Sequence, residues 1–296
     1  MKKVFAMNIL KNALPALIAA IVAAASPAFA DVVLTAPPEA GIGQPFIAEL
    51  EADGEELSDV RLHWLGRDAM LAPLSKGNGV QKFSAIVGSD LKNAKAGSFP
   101  LAVTFTAGGH IGEIRHSIKL TPRKYPSEKL TVDPAKLSPP KEAMARIERE
   151  AKEGRAALMT NSAGGAPALP FVRPVPGSFS SVYGKSRYFN GAFRGRHGGA
   201  DLRAKEGTPV KAAAAGRVVL TGDFWFAGKC IYVDNGAGLV TFYCHLSKIN
   251  VKKGEMINAG EVIALSGKTG RVTGPHLHFS AAWRGEFFDP APLLAD

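Results

Sequence analysis

From Leu101 to Leu120 the chain changes character at every second residue, on both sides of a Gly108-Gly109 break. Leu101, Val103 and Phe105 alternate with smaller or polar residues. Beyond the glycines, Ile114, His116, Ile118 and Leu120 alternate with Arg115, Ser117 and Lys119. A period of two sends successive side chains to opposite faces, so this stretch can only be two strands with one buried face. Residues 46–52 and 60–65 are further strand candidates. Several short strands separated by turn signals predict a β-sandwich-like domain over residues 31–134. No chemistry is visible in it. His63, His110 and His116 have spacings that suit no metal site, and His116, on an apolar face, reads as a satisfied core residue.

The first thirty residues stand apart. Lys2, Lys3 and Lys11 precede an apolar run over residues 13–25, and Ala28-Phe29-Ala30 precedes Asp31. As a helix that run spans about 20 Å, short of a bilayer core of about 30 Å. The pattern is a signal peptide over residues 1–30 with a small-residue cleavage site. The mature chain is expected to be exported, to the periplasm or cell envelope or beyond, with no stable membrane insertion after cleavage.

Hydrophobic residues make up 46% of the 296 residues and charged residues 21%, which excludes a disordered, collagen-like or multi-span membrane chain. The formal net charge is +10. It is unevenly placed: residues 31–134 carry −2, residues 135–176 carry +3 and residues 177–296 carry +6. The basic C-terminal part suggests an anionic partner there. Nucleic acid suits an exported protein least.

Residues 135–176 read as a helix and a flexible linker. Ser138-Pro139-Pro140 is a helix start, and residues 142–158 are strong helix formers with Ala143, Ile147 and Ala151 four apart. Gly164-Gly165 and four prolines mark residues 160–177 as an extended tether. Residues 177–296 are again β-rich. Strands 229–234 and 240–245 flank the turn Asn235-Gly236-Ala237-Gly238-Leu239. Symmetric pairing sets Cys230 opposite Cys244, Ile231 opposite Tyr243 and Lys229 opposite His245. His245 then faces away from Cys244 and shares a face with Tyr243, which either lines a groove or packs. The two cysteines are the only ones in the chain. In an oxidising compartment they are expected to pair, and closing that ring would add about 3 kcal/mol.

Four of the seven histidines fall in the last hundred residues: His197, His245, His276 and His278. His276 and His278, two apart on a strand, share one face. One can bind a metal while the other stands beside its open side. His197 and Asp201 flank Gly198-Gly199 and can converge through a sharp turn. Two imidazoles and one carboxylate suit zinc with a position left for water, and the surplus imidazoles could move protons or stabilise an oxyanion. A lone H-x-H or H-x-x-x-D is weak; their combination in one short β-rich domain is much stronger.

The texts His197-x-Gly199-x-Asp201, Gly207-Thr208-Pro209-Val210, His245-Leu246, Gly274-Pro275-His276-Leu277-His278-Phe279 and Asp289-Pro290 resemble the lysostaphin/LytM-type zinc metallopeptidases of cell-wall peptidoglycan. The resemblance covers about residues 175–292. It implies a mainly β fold with an antiparallel C-terminal peptidase domain, and one Zn²⁺ per chain held by His197, Asp201 and His278. It implies His245 and His276 as the catalytic pair, with His245 the choice for the base. The expected function is zinc-dependent endopeptidase action on peptide cross-links between stem peptides. Arg194, Arg196 and Arg271 are candidates to meet substrate carboxylates. Two other readings are a non-catalytic regulator that activates a wall amidase and a secreted protease of glycine-rich proteins. The −2 domain tethered to a +6 domain suggests that residues 31–134 restrain or target the enzyme. No protein partner is legible.

Overall fold

The computed structural model describes residues 31–77, 79–131 and 139–295. The signal-peptide reading of residues 1–30 and the Ser138 helix cap lie outside the described residues. The fold is mainly β.

Residues 31–121 form two sheets. A four-stranded antiparallel sheet runs in the order Val32–Thr35, Phe46–Asp53, Val80–Val87, Ser75–Gly77. A five-stranded sheet runs in the order Glu39–Gly41, His110–Thr121, Gly97–Ala107, Ser58–Trp64, Arg67–Met70. Phe46–Asp53 alternates buried and exposed through all eight residues, with Phe46, Ala48, Leu50 and Ala52 inward. The hairpin Gly97–Ala107 and His110–Thr121 answers with Leu101, Val103, Phe105, Ile118 and Leu120. Phe46 meets Trp64 edge to face at 5.3 Å between ring centroids, joining the two sheets. His116 departs from its expectation: it is partly buried, but its Nε2 is buried without a hydrogen-bond partner.

The C-terminal part is built on a ten-stranded sheet. Its path is Phe179–Ser181, Ala200–Arg203, His276–Trp283, Leu239–Ile249, Gly228–Asp234, Gly216–Phe224, Met256–Ile257. A separate three-stranded sheet sets Ser127–Leu130 parallel to Ser186–Phe189, which pairs with Ala192–Arg196.

One helix, Met144–Leu158, follows a 3-10 turn at Lys141–Ala143. Its buried face is Glu150, Gly154, Ala157 and Leu158. Ala151, expected in the apolar stripe, is exposed. The reason is a buried carboxylate that an apolar pattern cannot reveal. Glu150 accepts from the Trp225 N–H at 2.7 Å and from Arg146 Nε at 2.5 Å, which fastens the helix to the C-terminal sheet. The tether expected over 160–177 is extended but pinned along its length. Ala72 N donates to Gly164 O, Ala166 N to Ser84 O, Phe171 N to Leu293 O and Val172 N to Ala213 O.

A single core runs from Leu62 and Trp64 into Leu239 and Trp283. At this seam Gly88 lies against Phe288, and a Cβ there would sit 2.3 Å from the Phe288 ring. Gly88→Ala is therefore expected to lower stability by about 1–3 kcal/mol, because neither backbone nor a fully buried ring can retreat cheaply. Calorimetry would show a lower Tm; an unchanged Tm would mean that the seam is looser than drawn.

Candidate active site

Strand pairing brings the histidines together. Ala200–Arg203 runs antiparallel to His276–Trp283 with Asp201 opposite His278. On the other side of that strand Cys244 lies opposite His278. His197 enters from the turn before Ala200, with its backbone N–H on Lys185 O.

His197 Nε2, Asp201 Oδ1 and His278 Nδ1 form a nearly equilateral triangle with sides of 3.0, 3.0 and 2.9 Å. All three side chains are nearly buried. The remaining ring nitrogens are occupied. His197 Nδ1–H donates to Val182 O at 2.9 Å, and His278 Nε2 meets Ser280 Oγ at 2.8 Å. Each ring therefore turns its other nitrogen toward Asp201 Oδ1. Burial drives the Asp201 pKa upward, but hydrogen bonds from His197 and His278 outweigh it and hold the carboxyl well below its usual range. Burial also lowers His278, keeping that imidazole neutral. With both rings deprotonated at these atoms, as metal binding requires, three lone pairs at these separations would repel one another without a cation between them. The triangle is a few tenths of an ångström tighter than one face of a tetrahedron with bonds of about 2.0–2.1 Å, the geometry of zinc with nitrogen and oxygen donors. The donor set thus fits a divalent metal, with deprotonated ligands and outer partners that orient them.

Two more rings face this triangle. His245 lies 4.9 Å from His276 and 6.0 Å from His278, between ring centroids. His276 Nε2 is 3.7 Å from Asp201 Oδ1. Both rings are oriented by one loop: His245 Nδ1–H donates to Thr269 O at 3.0 Å and His276 Nδ1–H to Gly274 O at 2.9 Å. A carbonyl only accepts, so both Nε2 atoms carry lone pairs. Burial first, and the nearby His278 second, push the His245 pKa down to about 4.

His245 reaches this face by a device that alternation does not foresee. The expected symmetric register holds from Asp234 opposite Val240 to Ile231 opposite Tyr243, and then breaks. Lys229 pairs with Leu246, so Cys244 and His245 both fit where one residue was expected. His245 adopts φ 64° at this bulge, and its N–H bonds to Ala227 O at 2.9 Å. The bulge puts Cys244 and His245 on the same side, contrary to the sequence expectation. It also removes Tyr243 from the groove: that residue is fully buried, and its hydroxyl accepts from Ala213 N at 2.8 Å.

The same shift takes Cys230 out of opposition to Cys244. Both are free thiols, buried, and burial pushes the Cys230 thiol up to about 12 and Cys244 well above its ordinary value. The expected disulfide is absent. Titration of the non-reduced protein in denaturant should find two thiols per chain; finding none would restore the cross-link.

Ser280 was not singled out from the sequence, and Gly199 was read there only as a turn residue. Ser280 is the outer partner of His278. Gly199 leaves the space for it, since a Cβ there would lie 2.2 Å from Ser280 Oγ and 2.9 Å from His278 Nε2. Of the arginines named above, Arg194 and Arg196 are exposed on Ala192–Arg196, whereas Arg271 lies on the loop that orients His245 and His276. A cavity of about 660 Å³ lies elsewhere, between Phe99 and Arg115 of the five-stranded sheet and the Trp283–Glu286 turn.

Residues 195–290 match the family model described as Peptidase family M23. Over 89 residues the chain is 47% identical to peptidoglycan DD-endopeptidase ShyA of Vibrio cholerae, covering 30% of this chain and 21% of that protein. Over 123 residues it is 39% identical to lysostaphin of Staphylococcus simulans, covering 40% of this chain and 25% of that one. The match thus spans only about a fifth to a quarter of the length of these curated relatives. The likeness is more extensive to a crystal structure from Pseudomonas aeruginosa assigned to peptidase M23. That comparison has a TM-score of 0.61 and 32% identity, and covers 87% of this chain and 95% of the other. With the clustered histidines and this whole-length likeness together, the chain belongs to peptidase family M23.

Proposed function

We propose that this protein is an exported, zinc-dependent endopeptidase that hydrolyses peptide cross-links of peptidoglycan, with residues 177–296 carrying the catalysis. The observation that carries this reading is the three-atom triangle with two oriented imidazoles beside it. His197, Asp201 and His278 would hold the metal. Bound zinc supplies Lewis acidity toward the scissile carbonyl and lowers the pKa of its water to about 7.

The chain's own residues do the rest. His245 Nε2, kept neutral by burial, accepts the proton of the attacking water. Thr269 O fixes the ring so that the lone pair points at the site. The proton then passes to the leaving amine as the tetrahedral intermediate collapses. His276, carrying at Nε2 a second proton taken up from solvent, donates a hydrogen bond to the developing oxyanion and keeps that proton as the intermediate collapses. The regulator reading needs a site that has lost a donor or a base, and all five positions here hold competent residues. Export rests on the leader read over residues 1–30; no helix among the described residues is long and apolar enough to cross a membrane. The names of relatives described as peptidoglycan DD-endopeptidases point to wall peptides as the substrate class.

Purified protein incubated with sacculi should release new amines and lose cross-linked muropeptides, and a chelator should stop it. His245→Ala should keep zinc and lower turnover by about 10²–10⁴-fold. Zinc demonstrably bound without any loss of cross-links would overturn the proposal. Ser280→Ala, which removes an outer partner without touching a donor, should weaken zinc binding about 10–100-fold in a competition titration. Unaltered affinity would show that Ser280 does not orient His278.

A further inference from the structure

The helix Met144–Leu158 lies outside the residues that match the family model, yet two of its side chains grip the hairpin that holds the base. Strands Gly216–Phe224 and Gly228–Asp234 pair up to Phe224 opposite Gly228, so Trp225, Phe226 and Ala227 form a three-residue loop. Phe226 O accepts from Arg271 N at 3.0 Å, on the segment whose Thr269 carbonyl aims the His245 ring. Ala227 O accepts from His245 N at 2.9 Å. That second bond closes on the bulge, where His245 stands at φ 64°. Glu150 Oε2 accepts the Trp225 N–H at 2.7 Å, two residues before Ala227. Arg146 Nε holds the other carboxylate oxygen at 2.5 Å, and its Nη2 donates to Asp223 O at 2.6 Å. One turn of helix thus fixes the hairpin at Asp223 and at Trp225.

Seating the helix does not require a carboxylate. Glu150 is 8% exposed, and an apolar residue of similar size would fill the position without the desolvation of a charge. The helix also has an apolar seat of its own. Ala157 and Leu158 are buried with Tyr232 and Phe242, and a Cβ on Gly154 would lie 2.8 Å from the Tyr232 hydroxyl oxygen. What the carboxylate adds is direction: a charge-assisted bond to one N–H fixes where the loop stands.

We propose that Glu150, oriented by Arg146, is a positioning residue for His245: it anchors the Trp225–Ala227 loop at the place from which Ala227 O holds the backbone of the base in its bulge. The effect on turnover rests on the hydrolase reading; the anchor itself does not. The base is thereby held in part from the linker helix, outside the domain that carries the metal donors.

Three variants of the full-length protein test it. Glu150→Leu keeps the apolar seat and removes the acceptor. Glu150→Gln keeps an oxygen for the Trp225 N–H. Ala151→Gly weakens the same helix at an exposed position. Glu150→Leu should lower kcat on cross-linked muropeptides about ten-fold, with KM within two-fold and zinc affinity unchanged, because only the aim of the base is disturbed. Glu150→Gln should recover most of that loss, and Ala151→Gly should stay within two-fold of the unaltered protein. Amide hydrogen exchange supplies a readout that needs no turnover. The His245 N–H should exchange about ten-fold faster in Glu150→Leu, while the amides of Val233 and Thr241, in the regular part of the same strand pair, keep their rates. Unaltered kcat and unaltered His245 exchange in Glu150→Leu, or an equal loss in Ala151→Gly, would overturn the positioning role and leave the hydrolase intact. Faster His245 exchange in Glu150→Leu, together with an unaltered protein that cleaves no muropeptide, would uphold the anchor and remove the hydrolase reading.

Discussion

Everything at this site depends on one strand register. Asp201 opposes His278 on one side of His276–Trp283, and Cys244 opposes His278 on the other. A slip of one residue would turn His278 to the opposite face and bring Leu277 in its place. What prevents the slip is the burial on both faces. Leu277, Phe279, Ala281 and Trp283 are sunk in the main core, while Cys244 and Ala282 belong to a second cluster beneath the helix. Apolar packing thus sets the positions of polar groups that would otherwise repel one another.

Backbone carbonyls then decide which nitrogen each ring presents. Val182 O, Thr269 O and Gly274 O each capture the Nδ1–H of a ring, which leaves Nε2 of His197, His245 and His276 as the atom turned inward. The assembly sets one carboxylate among four imidazoles. It has the charge that a divalent cation needs and the lone pairs that a proton shuttle needs, in two adjacent groups. Mutual repulsion inside the triangle is a standing cost, tolerated because the strands that carry it are held by the core.

Much of this could be read from residue order. Period-two alternation located the strands at Phe46–Asp53 and around Gly108, because one buried face leaves that signature. His276 and His278 share a face for the same reason. What alternation could not show was its own interruption. The bulge at Cys244-His245 changes the side to which His245 points, leaves Tyr243 in the core and takes the cysteines out of register, and no residue type there announces it. Positive φ is uncommon outside glycine, and although histidine is among the side chains that adopt it more often, residue type alone does not mark His245 as one that does. Ala151 misled because the helix is seated by a hydrogen-bonded glutamate, not by an apolar stripe. Ser280, and the second role of Gly199 beyond its turn, were hidden because that work is done through space: one orients a ring, and the other has no atoms where Ser280 must stand.

The strained histidine raises a question of support. A non-glycine residue at φ near 60° costs about 1–2 kcal/mol. The conformation persists because two loops lock around it. Gly228 and Gly270 pass so closely that a Cβ on the first would lie 2.3 Å from the Thr269 carbonyl carbon, and one on the second 2.4 Å from Gly228 N. Lys229 N donates to Thr269 Oγ1 at 3.0 Å, that hydroxyl donates to Leu246 O at 2.7 Å, and Arg271 N donates to Phe226 O at 3.0 Å. Thr269 therefore ties the bulge to the loop whose carbonyl aims His245. Any side chain at the crossing would push that carbonyl away from the ring before it touched a reacting group. The base is aimed by backbone that the two glycines allow to meet, so the constraint on catalysis extends to residues that bear no functional group.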